Sequence, residues 1–197
     1  MKKLLCSALI LFVLPFTTSA MSIAVDSEYE AAMFLANRGI IVNQASAELY
    51  ELDSEIQRQA TIKIVMKLSG RNVPNTCRGE FSDVDTTTWP CKYIEAALDA
   101  EFIAANDTFR PFDSITMTEA MKLVLKAKGI EKTQTTSNWQ EDYMMTAYEY
   151  GIIDETYYTY DSNATRGWIF QIATATIEKE EEIKEIQEEK LMSDETL

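Results

Sequence analysis

Two arginines stand at the start of predicted helices, where their chemistry suits the binding of anions. Arg58 begins an apolar helix after Ile56, and Arg166 begins another after Thr165. The first turn of a helix has backbone N–H groups without intrahelical partners and carries the positive end of the helix dipole. A guanidinium group there adds a planar pair of donors that matches a carboxylate or a phosphate. The sequence therefore predicts anion-binding sites at Arg58 and Arg166.

Each arginine also has an acidic neighbour that offers a purely structural alternative. Glu55 lies three residues before Arg58, and Asp161 lies five residues before Arg166. An ion pair with such a neighbour would occupy the guanidinium and contribute little stability. From the sequence alone, both interpretations remain open.

Three tryptophans are candidates to stack on the apolar face of a ligand. Trp89 and Trp139 each open a predicted helix on its apolar side, so core packing is the favoured interpretation for these two. Trp168 follows Arg166 by two positions, and both interpretations apply to it.

A phrase that recurs three times predicts a repeated unit. In each copy an aromatic residue stands eight positions before the third residue of a helix start. The pairs are Tyr50 and Arg58, Phe109 and Met117, and Tyr158 and Arg166. A fixed internal step indicates one unit copied along the chain. We expect repeats at about 27–70, 81–130 and 138–177.

Helix signals place two helices in each repeat. The first helix covers 28–37 and ends near Gly39, as a helix C-terminus should. Thr116 is a predicted N-cap, and Glu119 stands three residues later, which is the spacing of a capping box. Thr165 caps the last helix of the repeats. Further helix ends are predicted at Gly70, Gly129 and Gly151.

The first twenty residues have the pattern of a secretory signal. Lys2 and Lys3 form its charged start, 8–16 its apolar stretch and 18–20 a cleavage site of small residues. The apolar stretch is short for a membrane span, and a retained anchor is the alternative. Cys6 lies within this leader, and we expect it to be removed with it.

Cys77 and Cys91 then remain, and two cysteines in an exported chain predict one disulfide. The short loop that this bond would close contributes about 3 kcal/mol by the chain-entropy argument. The alternative is a pair of free thiols in a reducing compartment, and the leader favours the bond.

Charge and composition exclude several classes of function. The formal net charge is −14, and it becomes −16 once Lys2 and Lys3 are lost, so the protein should repel nucleic acid and anionic membranes. The sequence has no histidine, which excludes histidine-based nucleophile systems and histidine metal sites. We expect no cofactor and no metal. A hydrophobic content of 46% fits a packed domain.

Residues 178–197 form an acidic tail with nine acidic residues and three lysines. Its apolar residues are too sparse for a coiled-coil seam. A solvated, partly frayed helix is the favoured interpretation, and a docking helix for a partner, such as another envelope protein, is the alternative.

The middle repeat carries an ordered set of residues that resembles the S-layer homology family. It opens with Phe81-Ser82-Asp83-Val84, and four residues separate this opening from Trp89. Later residues of the pattern are Ile94, Ala97, Phe102, Ile103, Phe109, Pro111, Ile115, Thr116 and Glu119. Residues 27–177 are similar to three such repeats.

The resemblance implies an all-α fold of three helix–loop–helix repeats in a pseudo-three-fold bundle, with the charged tail as a further helix. It also implies a secreted, non-catalytic module that binds an anionic cell-wall glycan polymer at the cell surface. The family's binding residue is the arginine of an Ile-Thr-Arg-Ala-Glu motif. The ligand-binding residues predicted here are Arg58, Arg166, Thr165, Thr116 and Trp168.

Several positions depart from that motif. Met117 stands in the arginine position of the middle repeat, and Gln57 and Ala60 replace the threonine and glutamate in the first. Gly167-Trp168 replaces the last two residues of the motif in the third repeat, and Glu101 replaces a glycine. The departures predict that at least one of the three grooves is inactive.

Two other functions compete with wall binding. The first is a structural or interaction protein of the envelope whose repeats have lost glycan binding and recruit a protein partner. The second is a hydrolase that uses a pair of carboxylates, which is disfavoured because no acidic residues form a recognisable acid–base arrangement.

Overall fold

Helical elements account for the regular structure of the residues that the computed structural model describes, 28–154 and 161–194. No strand occurs within these two ranges, so the all-α class predicted from the sequence is confirmed. The α-helices are α1 Glu28–Asn37, α2 Arg58–Leu68, α3 Trp89–Asp99, α4 Met117–Ala127, α5 Trp139–Glu149, α6 Arg166–Glu178 and α7 Glu180–Asp194, with a 3₁₀ helix at Ala47–Tyr50.

Threonine side chains fix the starts of α4 and α6. The Thr116 hydroxyl accepts a 3.2 Å bond from the Glu119 N–H, and the Glu119 carboxylate accepts a 3.2 Å bond from the Thr116 N–H. This reciprocal pair is the predicted capping box, and such a cap contributes about 1 kcal/mol. At α6 the Thr165 hydroxyl accepts from the Trp168 N–H at 3.2 Å. Both predicted caps are therefore confirmed.

The predicted helix ends are also confirmed. A glycine in the left-handed conformation follows most of these helices, but after α3 that residue is Glu101. Gly39 follows α1 with φ of +69°, and Gly129 follows α4 with φ of +67°. Glu101 adopts the same left-handed conformation after α3, with φ of +60°, although it has a side chain. That conformation costs a non-glycine residue about 1 kcal/mol.

A closed ring of backbone hydrogen bonds joins the segments that precede α2, α4 and α6. The Ile56 N–H donates to the Ala164 carbonyl at 3.0 Å, and the Ala164 N–H donates to the Ile115 carbonyl at 2.9 Å. The Ile115 N–H completes the ring by donating to the Ile56 carbonyl at 3.1 Å. All three residues are buried, so their polar backbone groups depend on one another for partners.

The helices pack in pairs around the core. The first helix of one predicted repeat packs on the second helix of the repeat before it: α3 packs on α2, and α5 packs on α4. The pairing also closes across the chain, because α1 packs on α6. Helix α4 contacts both α2 and α6, which places it at the centre with a fully buried face.

The loop between α2 and α3 is held by a disulfide and by a buried carboxylate. The predicted bond between Cys77 and Cys91 is present, with a Cα–Cα distance of 5.8 Å. Glu95 is 3% exposed and accepts hydrogen bonds from the N–H groups of Arg78, Gly79 and Glu80. Three donors on one carboxylate compensate for the burial of its charge.

Helix α7 docks at its start and becomes exposed toward its end. Lys128 forms a 2.6 Å ion pair with Glu180, and Ile183 is buried. Leu191 and Met192 are 64% and 62% exposed. The tail is thus a helix that is partly packed on the domain. None of the helices in the described ranges has the length and apolar character that a membrane span requires.

The disulfide yields a stability prediction. Replacing Cys77 and Cys91 together by serine should lower the free energy of unfolding by about 3 kcal/mol, because the unfolded chain gains conformational freedom. Urea unfolding without reductant measures this. Dithiothreitol should lower the stability of the parent by a similar amount and leave that of the variant unchanged. Equal stability of parent and variant would contradict the prediction.

A second buried carboxylate holds the segment before α5. Asp142 accepts hydrogen bonds from the Lys132 ammonium at 2.9 Å, and from the Thr136 N–H at 2.9 Å and hydroxyl at 2.8 Å. The bond from Lys132, followed by those from Thr136, lowers the pKa of Asp142 below its ordinary value. The ionised form is therefore favoured in the folded state.

This lowered pKa sets the direction of a pH effect. The contribution of Asp142 is complete above the ordinary aspartate pKa, about 4, and is lost as the pH falls through the lower folded pKa. Asp142→Asn should lower stability at neutral pH and make the loss of stability below about pH 4 less steep. Urea unfolding across the acid range measures both effects, and parallel curves for parent and variant would contradict the prediction.

Candidate functional site

A cleft of about 610 Å³ lies beside the start of α2, and we call it the Arg58 cleft. Its walls come from the loop after α3, from α4 and from the start of α5. Positive, negative and aromatic side chains line it together. The residues that matter for its chemistry are Arg58, Phe109, Glu119, Lys122, Lys126 and Trp139.

Arg58 is held in the cleft by two hydrogen bonds. Its Nε donates to the Phe109 carbonyl at 3.1 Å, and its Nη1 donates to the Glu119 carboxylate at 3.1 Å. The guanidinium carbon also lies 5.1 Å from the centroid of the Phe109 ring. These contacts fix the orientation of a side chain that is only 15% exposed.

The carboxylate partner of Arg58 differs from the neighbour suggested by the sequence. Glu55 accepts hydrogen bonds from Ser114 and Asn163 instead, so the alternative pairing of Arg58 with Glu55 is wrong. Glu119 takes that place from 61 positions away, and the same carboxylate caps α4. Sequence spacing gives no sign of a contact between residues so distant.

The backbone N–H groups at the helix starts are not free. The Arg58 N–H donates to the Asp113 carbonyl at 2.9 Å, and the Arg166 N–H donates to the Ser54 carbonyl at 2.9 Å. The expectation of unpaired N–H groups beside each arginine is therefore wrong, because carbonyls of neighbouring loops satisfy them. Anion binding at either arginine must rely on side chains.

Lys122 and Trp139 form the opposite wall. The Lys122 ammonium lies 5.0 Å from the Trp139 ring centroid, within the range of a cation–π interaction. Burial, together with the nearby charge of Lys126, lowers the pKa of Lys122. Trp139 is 41% exposed and Trp89 is 48% exposed, so the favoured expectation that both pack in the core is wrong. Each stands at the first position of its helix and projects away from the core.

Arg166 lies outside this cleft but makes a matching contact. Its Nε donates to the Tyr50 carbonyl at 2.7 Å, just as Arg58 contacts the Phe109 carbonyl. Within the described ranges Arg166 has no carboxylate partner. The alternative partner Asp161 instead accepts from the side chain of Gln140 at 3.3 Å.

A second lysine–tryptophan pair stands where α2 and α3 pack. The Lys63 ammonium lies 5.1 Å from the Trp89 ring centroid, compared with 5.0 Å for Lys122 and Trp139. Lys63 stands five positions after Arg58, and Lys122 stands five positions after Met117. The sequence prediction missed these lysines, although their common spacing from the helix start was a usable signal.

The remaining predicted ligand-binding residues have structural contacts. The hydroxyls of Thr116 and Thr165 act as helix caps. Trp168 and Met117 are half-buried and pack against the hydrophobic core. Tyr158, the third aromatic residue of the repeated phrase, lies outside the described residues.

Side chains in the Arg58 cleft could bind an anionic sugar. Lys122 and Lys126 supply positive charge, the exposed face of Trp139 suits the apolar side of a sugar ring, and Arg58 has its Nη2 unused by any described residue. Glu119 opposes these charges from within the cleft.

A segment that forms part of the Arg58 cleft matches a known protein family. Residues 80–116 match the S-layer homology domain, over a segment that contains α3 and runs to the cap of α4. No curated protein matches the chain. The match confirms the sequence resemblance for the middle repeat, and this chain therefore contains a segment similar to an S-layer homology domain.

Proposed function

We propose that this protein is a secreted, non-catalytic module that binds an anionic cell-wall polysaccharide at the cell surface. The S-layer homology match supports a role at the cell surface. The observation that carries the proposal is the grouping of Arg58, two lysines and an exposed tryptophan in one cleft. A carboxylate or phosphate on the polymer would bind the cations, and a sugar ring would cover Trp139.

The local charge of the cleft matters because the whole chain is acidic. At a net charge of −14, the protein repels polyanions at long range. Salt in solution screens that repulsion beyond about 10 Å, whereas contacts within the cleft are shorter than this. A polymer held there would be recognised by its anionic groups and sugar faces, and not by a general attraction to the protein.

Three repeats are part of the proposal. The closed ring through Ile56, Ile115 and Ala164 supports it, because equivalent residues of the three copies bond to one another in turn. The packing of α1 on α6 supports it too, since it continues across the chain the pattern of α3 on α2 and α5 on α4. We infer a pseudo-three-fold arrangement with one groove beside each of the three helix starts.

One groove of the three lacks the binding residues. In this groove Met117 occupies the position that Arg58 and Arg166 have in the other two. Trp168 occupies the position that Glu119 has in the Arg58 cleft. Gln171 and Ala175 take the positions of Lys122 and Lys126. Arginine and both lysines are thus missing together, so we infer that the groove beside Met117 does not bind an anion.

The proposal predicts how substitution of the two arginines affects wall binding. Arg58→Ala with Arg166→Ala should weaken binding to wall sacculi by at least about tenfold, because a charged hydrogen bond contributes roughly 1.5–3 kcal/mol. Sedimentation with sacculi, before and after chemical removal of their linked polymers, measures binding. Binding by the parent protein should also weaken as salt is added.

A matched control separates the site from net charge. Lys184→Ala with Lys190→Ala removes the same number of positive charges, but from α7, and should leave sacculus binding unchanged. If the double arginine variant sediments like the parent, the arginine mechanism is wrong. If removal of the linked polymers changes nothing, the polymer is not the ligand.

A second candidate function is recruitment of an envelope protein through α7. The exposed Leu191 and Met192 at the end of a docked acidic helix favour it. Truncation after Gln187 should then abolish co-purification of that partner but preserve sacculus binding, because Glu180 and Ile183 still hold the helix. A truncated form that keeps every partner of the parent would contradict this function.

A further inference from the structure

We propose that the site around Arg166 is the principal anion-binding site, and that Glu119 weakens the Arg58 cleft by competing for its arginine. Arg166 contacts Tyr50, and by the correspondence of the repeats we assign Lys63 and Trp89, the counterparts of Lys122 and Trp139, to the same Arg166 site. The inference rests on the proposed function, because it assigns the two arginines different strengths toward the same anionic polymer.

The two guanidinium groups differ in their bound partners. Arg58 uses Nε on a carbonyl and Nη1 on the Glu119 carboxylate. Arg166 uses Nε on the Tyr50 carbonyl and forms no ion pair with a described residue. Among the described residues neither Nη group of Arg166 has a hydrogen-bond partner, which would allow the two-point contact that guanidinium forms with carboxylates and phosphates.

No carboxylate of the described residues pairs with Arg166, and one sequence position accounts for the difference from Glu119. Glu119 is the third residue of α4, and the third residue of α2 is Ala60. Because the arginines contact their aromatic carbonyls in the same way, a glutamate at position 60 would face Arg166 as Glu119 faces Arg58. The alanine side chain leaves that place without charge.

Other acidic positions are divided between the two sites. Glu101 lines the Arg58 cleft, and Gly39 stands in its place in the first repeat. Glu28 lies against Gly167, beside Arg166, but forms no ion pair with that arginine. At the outer edge the Arg58 cleft has Arg110, whereas the Arg166 site has Glu51 in the corresponding position. Both side chains are exposed.

Competition by Glu119 should be substantial. An incoming carboxylate would meet an arginine whose charge is already compensated, and it would lie close to a second negative charge. Like charges about 4 Å apart repel one another even in water, and the repulsion grows as water is excluded. We expect this repulsion to lower affinity by about fivefold to tenfold.

The experiment changes Glu119 and Ala60 separately, each in a protein that keeps only one of the two arginines. In an Arg166→Ala background, which leaves the Arg58 cleft, Glu119→Gln should raise sacculus affinity about tenfold. Glutamine keeps an oxygen for the Thr116 N–H, so the cap of α4 is preserved. In an Arg58→Ala background, Ala60→Glu should lower affinity about tenfold, and Ala60→Gln is the control of equal size without charge.

The outcomes distinguish this inference from the proposed function. We expect the Arg58→Ala protein to bind sacculi more tightly than the Arg166→Ala protein. If Glu119→Gln and Ala60→Glu leave affinity unchanged while the double arginine variant loses binding, the proposed function stands and the competition by Glu119 is refuted. If the double arginine variant binds like the parent, the proposed function itself fails.

Discussion

Three backbone N–H groups that bond in turn to one another's carbonyls hold the centre of this domain. Ile56, Ile115 and Ala164 are buried, and an unpaired buried N–H or carbonyl would cost roughly 1–3 kcal/mol. The ring therefore fixes three loop segments relative to one another. Since α2, α4 and α6 begin two residues later, it also fixes where Arg58 and Arg166 emerge. The geometry of each arginine is a consequence of this ring, and not of the helix that carries it.

Burial of charge follows one rule throughout the domain. Glu95, Asp142 and Glu119 each accept hydrogen bonds from a segment distant in the fold or from a helix start, and none is left without donors. An acidic chain can keep Glu95 and Asp142 inside because their donors come from loops that they hold, whereas the half-buried Glu119 caps a helix. Two cations are used differently: the half-buried Lys63 and Lys122 lie over the exposed rings of Trp89 and Trp139.

Local features were predictable from the sequence, and contacts between distant segments were not. The capping box at Thr116, the helix ends at glycines and the disulfide follow from residues close in the chain, whose geometry is fixed by spacing. Glu119 was assigned only its cap, because its second bond reaches an arginine 61 positions away. Trp139 was assigned to the core because its helix is amphipathic, although the first residue of a helix can project past the packed face. The backbone donors beside the arginines were expected to be free because the loops that satisfy them lie far away in the chain.

The packing of α1 on α6 has a consequence for how the chain acquires its structure. Ala31, Ala32 and Leu35 form the buried face of α1, and the Thr174 hydroxyl bonds to the Ala31 carbonyl across 143 positions. During synthesis α1 therefore cannot bury this face until α6 has been made. The α2–α3 and α4–α5 pairs join segments that are closer in the chain and can pack earlier, so the docking of α1 on α6 is the step that closes the domain.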